Sequence, residues 1–402
     1  GDLKIELAEQ FGFELLPELL LVYQNYPNPF NPITAINYEI PEKGDVIIQI
    51  YNVKGQEISK YVDYHIQPIA KELKSYVQDT TDFINKINNV GTVPANSYLV
   101  SMDVRSLYTN IPNDEGIQAL KESFDAYQGK TTTTNIITTL MWLILTLNNF
   151  IFNGINYLQI KGCAMGTNTS PSYATIFMGK FEETFIYPVI GGLHKLYLRY
   201  IDDIFIIWTG TEYKFKEFID ELNVKHPSIK FDFEISNKEV SFLDTVVYID
   251  KNNKLQTKLY RKATDRQNYL HRTSAHAESL KKNIPYSQAL RVKRICSEKI
   301  EFDKNCKELK NKFVERGYDK EEIDKQIEKT KAIPREHTLL PSNKMRSNRI
   351  PFVVTFNRTL PPIGKILRKH WDILQLNENL KNFFMNPPVI AYRRCLNLRD
   401  LI

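Results

Sequence analysis

The chain has 402 residues, 42% of them hydrophobic and 12% aromatic, with a formal net charge of +6. That is enough apolar material for two or three folded domains, and it excludes a disordered chain. No run of about 18 apolar residues occurs, so no membrane span or membrane partner is expected. Cys163, Cys296, Cys306 and Cys395 show no CxxC spacing, which argues against a disulfide framework or zinc site and fits an intracellular compartment, the nucleus in a eukaryote.

In chain order, Tyr26–Pro32 is a Pro/Asn turn cluster. Two alternating strands follow, Ile33–Ile40 and Val46–Val53, joined by the turn Pro41–Asp45. Helical patterns run from Ser59 to Asn89, with Gln78–Asp82 supplying N-cap residues. A strand, Tyr98–Met102, leads into Asp103, then a loop through Asn110–Asn113 and a helix, Asp114–Gln128. Next come a helix Asn135–Asn148, a Gly-punctuated loop Gly162–Pro171, and a helix Ser172–Tyr187, for which Ser170 suits the N-cap and Pro171 the first position. A hairpin, Leu196–Trp208, precedes the helix Glu212–Asn223 and the strands Ile229–Ile235, Ser241–Ile249 and Leu255–Tyr260. This order predicts an α+β palm on an antiparallel sheet.

Beyond Arg261 the pattern is helical and basic: His276–Asn283, Tyr286–Phe313 and Lys320–Ala332. From Lys254 to Arg349, Lys and Arg outnumber Asp and Glu about two to one, which suits a polyanion. The last segment carries a helix, Ile363–Leu374, and a Pro-Pro break at 387–388.

The chemistry centres on Asp202-Asp203, set between apolar strand-forming residues at the tip of the hairpin. Adjacent carboxylates there need a positive partner, and Arg199 is the hairpin's only cation near them. A hard divalent cation such as Mg²⁺ fits, since it takes carboxylate and phosphate oxygens. With Asp103 ending another apolar strand, three acids on two strands suit two ions about 3.5–4 Å apart, the arrangement of in-line phosphoryl transfer. An exposed Asp-Asp turn is the ordinary alternative.

Tyr108, five residues after Asp103, suits a ring under a nucleotide sugar that rejects a 2′-hydroxyl; a core tyrosine is the other reading. The loop Gly162–Ser170, including Met165 and Gly166, suits close approach to a base pair or phosphate. Asp244 reads as structural, and Lys225, Lys230 and Lys238 are the candidates for protonating a leaving pyrophosphate.

Four ordered motifs, Asp103–Pro112, Gly162–Pro171, Arg199–Phe205 and Ser241–Asp244, together resemble reverse transcriptases, in particular those of Penelope-like retroelements. The resemblance continues through Leu259–Lys262, Ile284–Arg291, Arg294–Cys296, Leu360–Trp371, Arg393-Arg394 and Asn397–Asp400, covering about residues 60–402. It implies an RNA-directed DNA polymerase with a right-hand palm, using two Mg²⁺ ions (Mn²⁺ as the alternative) on an RNA template, a DNA primer and dNTP. It implies Asp103, Asp202 and Asp203 as metal ligands, Tyr108 as sugar gate, and Gly162, Met165, Gly166 and Ser170 as nucleotide contacts. The implied division is residues 1–58, a palm with partial fingers at 59–263, a thumb or helix-turn-helix-like region at 264–335, and an extension at 336–402.

The chain departs from the family pattern at Arg105, where a small residue is expected, and at Asn168–Ser170, where a lysine is expected. No fingers segment is recognisable ahead of residue 60, and no endonuclease module follows. Asn25–Thr34, Tyr38–Pro41 and Ile50–Glu57 resemble the C-terminal sorting module of a bacterial outer-membrane secretion route. Two rival readings stand beside the polymerase: a catalytically dead nucleic-acid-binding remnant, and a secreted protein directed by the N-terminal block.

Overall fold

In the computed structural model, which describes residues 21–22, 38–39, 56–129, 131–152, 155–340, 349–382 and 384–393, the chain falls into two units, Gly1–Lys54 and Gly55–Ile402. In the first, β1 (Leu21–Val22) pairs antiparallel with β2 (Tyr38–Glu39). The rest of the expected hairpin, including Val46–Val53, lies outside the described residues.

The second unit is α+β and is built on an antiparallel sheet of β3 (Tyr98–Val104), β6 (His194–Tyr200), β7 (Asp203–Trp208) and β8 (Phe231–Ser236), in the order β6-β7-β3-β8. Successive strand residues point to opposite faces, and here both faces are covered. Val100, Met102 and Val104 of β3, with Ile204, Ile206 and Trp208 of β7, enter one core. There they meet the helices Gln56–Lys71 (Val62, Ile66), Asn113–Gln128 (Leu120, Phe124), Thr132–Thr146 (Ile137, Met141), Ser170–Phe181 (Tyr173, Phe177) and Glu212–Lys225 (Phe215). Leu99, Phe205 and Ile207 enter the second core, against Phe83, Ile84 and Ile87 of the helix Thr80–Asn88 and a three-stranded sheet. That sheet has the order β11 (Leu255–Leu259), β10 (Thr245–Ile249), β9 (Glu239–Phe242).

Several expectations need correction. Ser241–Ile249 is not one strand: Leu243, with φ 53°, and Asp244 form a two-residue turn between β9 and β10, closed by Thr245 Oγ1 donating to the Phe242 carbonyl at 2.8 Å. The stretch after Asp103 is not all loop, since Leu107–Asn110 is a short helix. The helix expected to reach Asn148 stops at Thr146, and a hairpin of β4 (Asn149–Phe152) and β5 (Ile155–Leu158) follows. Helix Ser172–Tyr187 is instead Ser170–Phe181, a π-helical turn Glu182–Ile186, then Tyr187–Ile190.

The thumb-like region also breaks elsewhere than expected. One helix, Glu278–Ile295, runs straight through Pro285, and the next is Lys299–Glu315. The interruption falls at Cys296–Glu298 because β11 captures the chain there. Ser297 N donates to the Thr257 carbonyl at 2.9 Å, Thr257 N to Ser297 Oγ at 2.7 Å, and Thr257 Oγ1 to the Ile295 carbonyl at 2.5 Å. A third helix, Lys320–Lys331, is capped by Asp319, and all three close on Ala289, Leu309, Phe313, Tyr318 and Ile323. The expected helix Ile363–Leu374 is two, Ile363–Lys369 and Trp371–Gln375, and β12 (Pro351–Thr355) pairs parallel with β13 (Val389–Arg393). Among the described residues no helix is long and apolar enough to cross a membrane.

Candidate active site

One register row of the sheet collects the predicted acids. Tyr200 lies opposite Asp203, Asp203 opposite Asp103, and Asp103 opposite Asp232. Directly opposed antiparallel residues project from the same face with Cβ atoms about 4.5–5.5 Å apart. Asp202 sits in the two-residue turn between β6 and β7, and its carbonyl accepts from Val104 N at 3.2 Å. The two strands and the turn thus bring Asp103, Asp202 and Asp203 together.

Their electrostatics record that crowding. Partial burial, then Asp202 and Asp232, push the Asp103 carboxyl up, although it stays largely open to solvent. Burial raises Asp202 against the lowering effect of backbone hydrogen bonds and Arg199. Burial, then Asp202 and Asp103, push Asp203 up to about 6, with Lys262 the opposing cation. Oxygen donors short of positive charge fit a hard divalent cation. Among the described residues, however, no three His, Cys, Asp or Glu side chains are gathered into a closed ligand set.

Arg199 does not serve these acids directly. Its side chain is fully buried, pairs with Glu182 at 2.5 Å, and donates to the carbonyls of Ile201 and Thr175, each at 3.1 Å. Burial alone would lower its proton affinity, but Glu182 more than restores it and the net shift is upward. Ile201 holds φ 57°, left-handed and costly for a β-branched residue. The buried guanidinium therefore holds the carbonyl of the strained residue that precedes Asp202.

Tyr108 is half-buried beside the first core, and its hydroxyl is pushed up to about 12, first by burial and then by Asp202. The Gly162 loop is locked to it. Cys163 N donates to the Tyr108 carbonyl at 2.8 Å, and Gly162 N to Asn113 Oδ1 at 3.0 Å. Gly162 has φ 75°, and an added Cβ would lie 2.4 Å from the Tyr108 carbonyl oxygen, so this approach requires glycine. Gly166 has φ 98° with open space around it, and Met165 is 73% exposed. Ser170 corrects its expectation: it lies within the helix, buried, its hydroxyl donating to the Ala164 carbonyl at 2.7 Å rather than capping.

Other candidates are placed as follows. Asp244 accepts from Arg291 at 2.8 and 3.0 Å and from Thr80 Oγ1 at 2.5 Å, joining the helix Glu278–Ile295 to the palm. Lys225 pairs with Glu221 at 3.0 Å, and Lys230 donates to the carbonyls of Asn223 and His226. The cation that Asp203 senses is instead Lys262, which the sequence reading did not single out. Asp232 was missed too. It is signalled only by alternation in Phe231-Asp-Phe-Glu234, and an exposed bidentate contact with Arg105 lowers its pKa. Arg105, the departure from pattern, thus has a partner across the sheet.

The comparisons with known proteins decide the family. Residues 42–259 match the model described as reverse transcriptase (RNA-dependent DNA polymerase), more than half of the chain. The protein belongs to the reverse transcriptase family. Residues 268–328 match the animal helix-turn-helix domain, within the basic helical region. The reverse transcriptase match begins at residue 42, inside the N-terminal block. No curated protein matches. Among solved structures, the apo telomerase of Candida tropicalis is 14% identical, with 70% of this chain and 51% of that chain covered and a TM-score of 0.44. The telomerase of Candida albicans, in complex with a TWJ fragment of telomeric RNA, is 9% identical, with 71% and 58% covered and a TM-score of 0.45. The RNA-dependent RNA polymerase of a human picobirnavirus is 11% identical, with 80% and 61% covered and a TM-score of 0.42. The chain spans about half the length of the telomerases it matches.

Proposed function

We propose that this reverse transcriptase is the RNA-directed DNA polymerase of a Penelope-like retroelement, joining dNTP to the 3′-hydroxyl of a DNA primer on an RNA template. The observation that carries the reading is the pairing of Asp103 with Asp203 across the sheet, with Asp202 in the adjoining turn. The motif set Asp103–Pro112, Gly162–Pro171, Arg199–Phe205 and Ser241–Asp244 supports the Penelope-like assignment.

In this reading Asp103, Asp202 and Asp203 hold two Mg²⁺ ions, with Mn²⁺ as a substitute. Bound metal supplies activation of the primer oxygen and charge stabilisation of the departing pyrophosphate. The protein's own residues position. The doubly covered sheet fixes the carboxylates, and Arg199 holds the turn that presents Asp202. Tyr108 underlies the sugar and rejects a 2′-hydroxyl. Gly162, Met165, Gly166 and Ser170 form or brace the loop that meets template and incoming nucleotide. The basic helices from 264 to 335 grip phosphates without regard to sequence, in a salt-sensitive way.

The test is primer extension on an RNA template with dNTP and Mg²⁺, run beside Asp202→Ala. Extension by the native chain alone is expected, with duplex binding retained in the variant. Equal extension by both proteins would overturn the site assignment. A second reading is a nucleic-acid-binding remnant that keeps the fold and grips the duplex but leaves the triphosphate unheld. Duplex binding without extension by the native chain would establish it.

A further inference from the structure

We propose that the cavity between the start of the helix Glu278–Ile295 and the β12–β13 pair is a second nucleic-acid site, which takes one unit of a single strand by stacking its base and pairing its phosphate. The cavity has a volume of about 560 Å³, within the roughly 300–1,000 Å³ of sites that enclose a small organic ligand. His276, Ser279 and Asn283 form one wall, and Phe356, Tyr392 and Arg393 the other. The second wall is fixed by backbone pairing. Val354 lies opposite Tyr392, Thr355 opposite Arg393, and Phe356 N donates to the Arg393 carbonyl at 2.8 Å.

The chemistry of this lining selects the ligand. The Phe356 and Tyr392 rings meet edge-to-face, with centroids 5.4 Å apart at 83°, and Tyr392 remains 44% exposed. A ring so held is a stacking platform, and every base has a π-face to lay on it. Arg393 is exposed and forms no ion pair among the described residues. Its planar fork suits a phosphate, and His276, Ser279 and Asn283 add hydrogen-bonding groups around it. Among the described residues no carboxylate lines the cavity. A second aromatic cavity, lined by Phe177, Phe181 and Phe185, shows the contrast: Asp114, Glu115 and Glu122 outnumber its one cation among the described residues, Lys180, which is paired with Glu122, so the lining is net acidic and repels a phosphate. The site stands apart from the acid row, so its test does not depend on catalysis.

The test uses the full chain and a 12-residue oligo(dT) carrying 4-thiothymidine, photo-crosslinked in the presence of excess unlabelled hairpin duplex. The choice of competitor rests on the proposed function, in which a duplex fills the thumb and the polymerase cleft. Labelling is expected to map to the peptides holding Phe356 and Tyr392. Tyr392→Ala should weaken it about 5- to 140-fold, the loss of one stacked base at about 1–3 kcal/mol, and Arg393→Glu should weaken it by loss of the phosphate contact, while Tyr392→Phe keeps it. Duplex binding and the melting temperature should be unchanged in Arg393→Glu, which tests the site even if Tyr392→Ala fails to fold. An oligo(U) run alongside shows whether a ribose is accepted, and labelling by either strand supports the site. Undiminished labelling in both variants would overturn the proposal. So would displacement by polyglutamate as effective as by oligonucleotide, which would mean that the cavity reads charge alone.

Discussion

The buried pair Arg199–Glu182 supplies the sharpest prediction. Both side chains are essentially inaccessible to solvent, and Glu182 also accepts from Ser75 Oγ at 2.6 Å. Glu182→Gln keeps the shape but leaves the guanidinium buried and uncompensated, which costs about 3–5 kcal/mol. A double replacement, Arg199→Met with Glu182→Leu, removes both charges and should recover most of that stability, since paired burial of ions is close to neutral against well-packed apolar groups. It should not recover activity. The Arg199 hydrogen bond to the Ile201 carbonyl comes from a charged donor, worth about 1.5–3 kcal/mol, and it restrains a residue in a strained conformation. Releasing it should slow extension roughly tenfold to 150-fold if the turn must be held for Asp202 to act. Urea unfolding followed by tryptophan fluorescence reads the first effect, because one of the three tryptophans, Trp208, lies in the core on β7. Single-turnover extension reads the second. A loss under about 1 kcal/mol in Glu182→Gln would refute the buried-charge argument. Full activity in the stable double variant would refute the link to the turn.

Asp203, with its pKa raised to about 6, binds more protons folded than unfolded between about pH 4 and 6. In the metal-free protein its contribution therefore weakens the fold as pH rises through that window. Asp203→Asn should melt higher than native at pH 7, with the gain fading by pH 4, and thermal scans across pH check this. Adding Mg²⁺ should raise the melting temperature of the native chain and not that of Asp203→Asn; equal shifts would place the ion elsewhere. Gly162→Ala meets the Tyr108 carbonyl oxygen and a positive φ together, so it should cost more than the roughly 1–2 kcal/mol of backbone strain expected for Gly166→Ala in open space, as measured by urea midpoints. Asp232→Asn breaks only an exposed pair and should change stability by less than about 1 kcal/mol. Asp244→Asn, which unties Arg291 and Thr80, should shorten products on a long template while sparing addition of the first nucleotide. Processivity gels with a trap separate the two.

The acid row was legible because its flanks are apolar. Ile204–Trp208 and Tyr98–Met102 are near-continuous apolar runs, the mark of strands buried on both faces, so the acids at their ends stand out as the polar end of a sheet. Asp232 stayed hidden because its pairing with Asp103 depends on which strand lies on the far side of β3, a long-range choice that no local pattern records. Helix punctuation failed where local and tertiary rules disagree. Pro285 reads as a stop, yet the helix passes through it, while Cys296–Glu298 reads as continuous and is broken by its hydrogen bonds to Thr257. The turn at Leu243-Asp244 contains no glycine or asparagine to announce it. Ser170 suited an N-cap on sequence, but its hydroxyl is more useful to the loop, where it satisfies the Ala164 carbonyl.

Why the three carboxylates are tolerated follows from the same packing. The buried cation Arg199 is spent on Glu182, on the Ile201 carbonyl of the turn and on the Thr175 carbonyl of the helix Ser170–Phe181. Arg105 is spent on Asp232. Lys262 opposes only part of the crowding at Asp203. Mutual repulsion would push the strand ends apart if the sheet were free on one side, but apolar side chains are buried against both faces of β3 and β7. The cores thus hold the carboxylates in place, and their pKa values are raised first by burial and, at Asp103 and Asp203, then by neighbouring carboxylates. A cation that arrives there meets carboxylates on two strands and in the turn that do not form a closed ligand set, so binding should draw them together and rigidify the Ile201-Asp202 turn more than any other part of the palm. Hydrogen exchange with and without Mg²⁺ would show this as added protection at Val104, whose N–H is bonded to the Asp202 carbonyl.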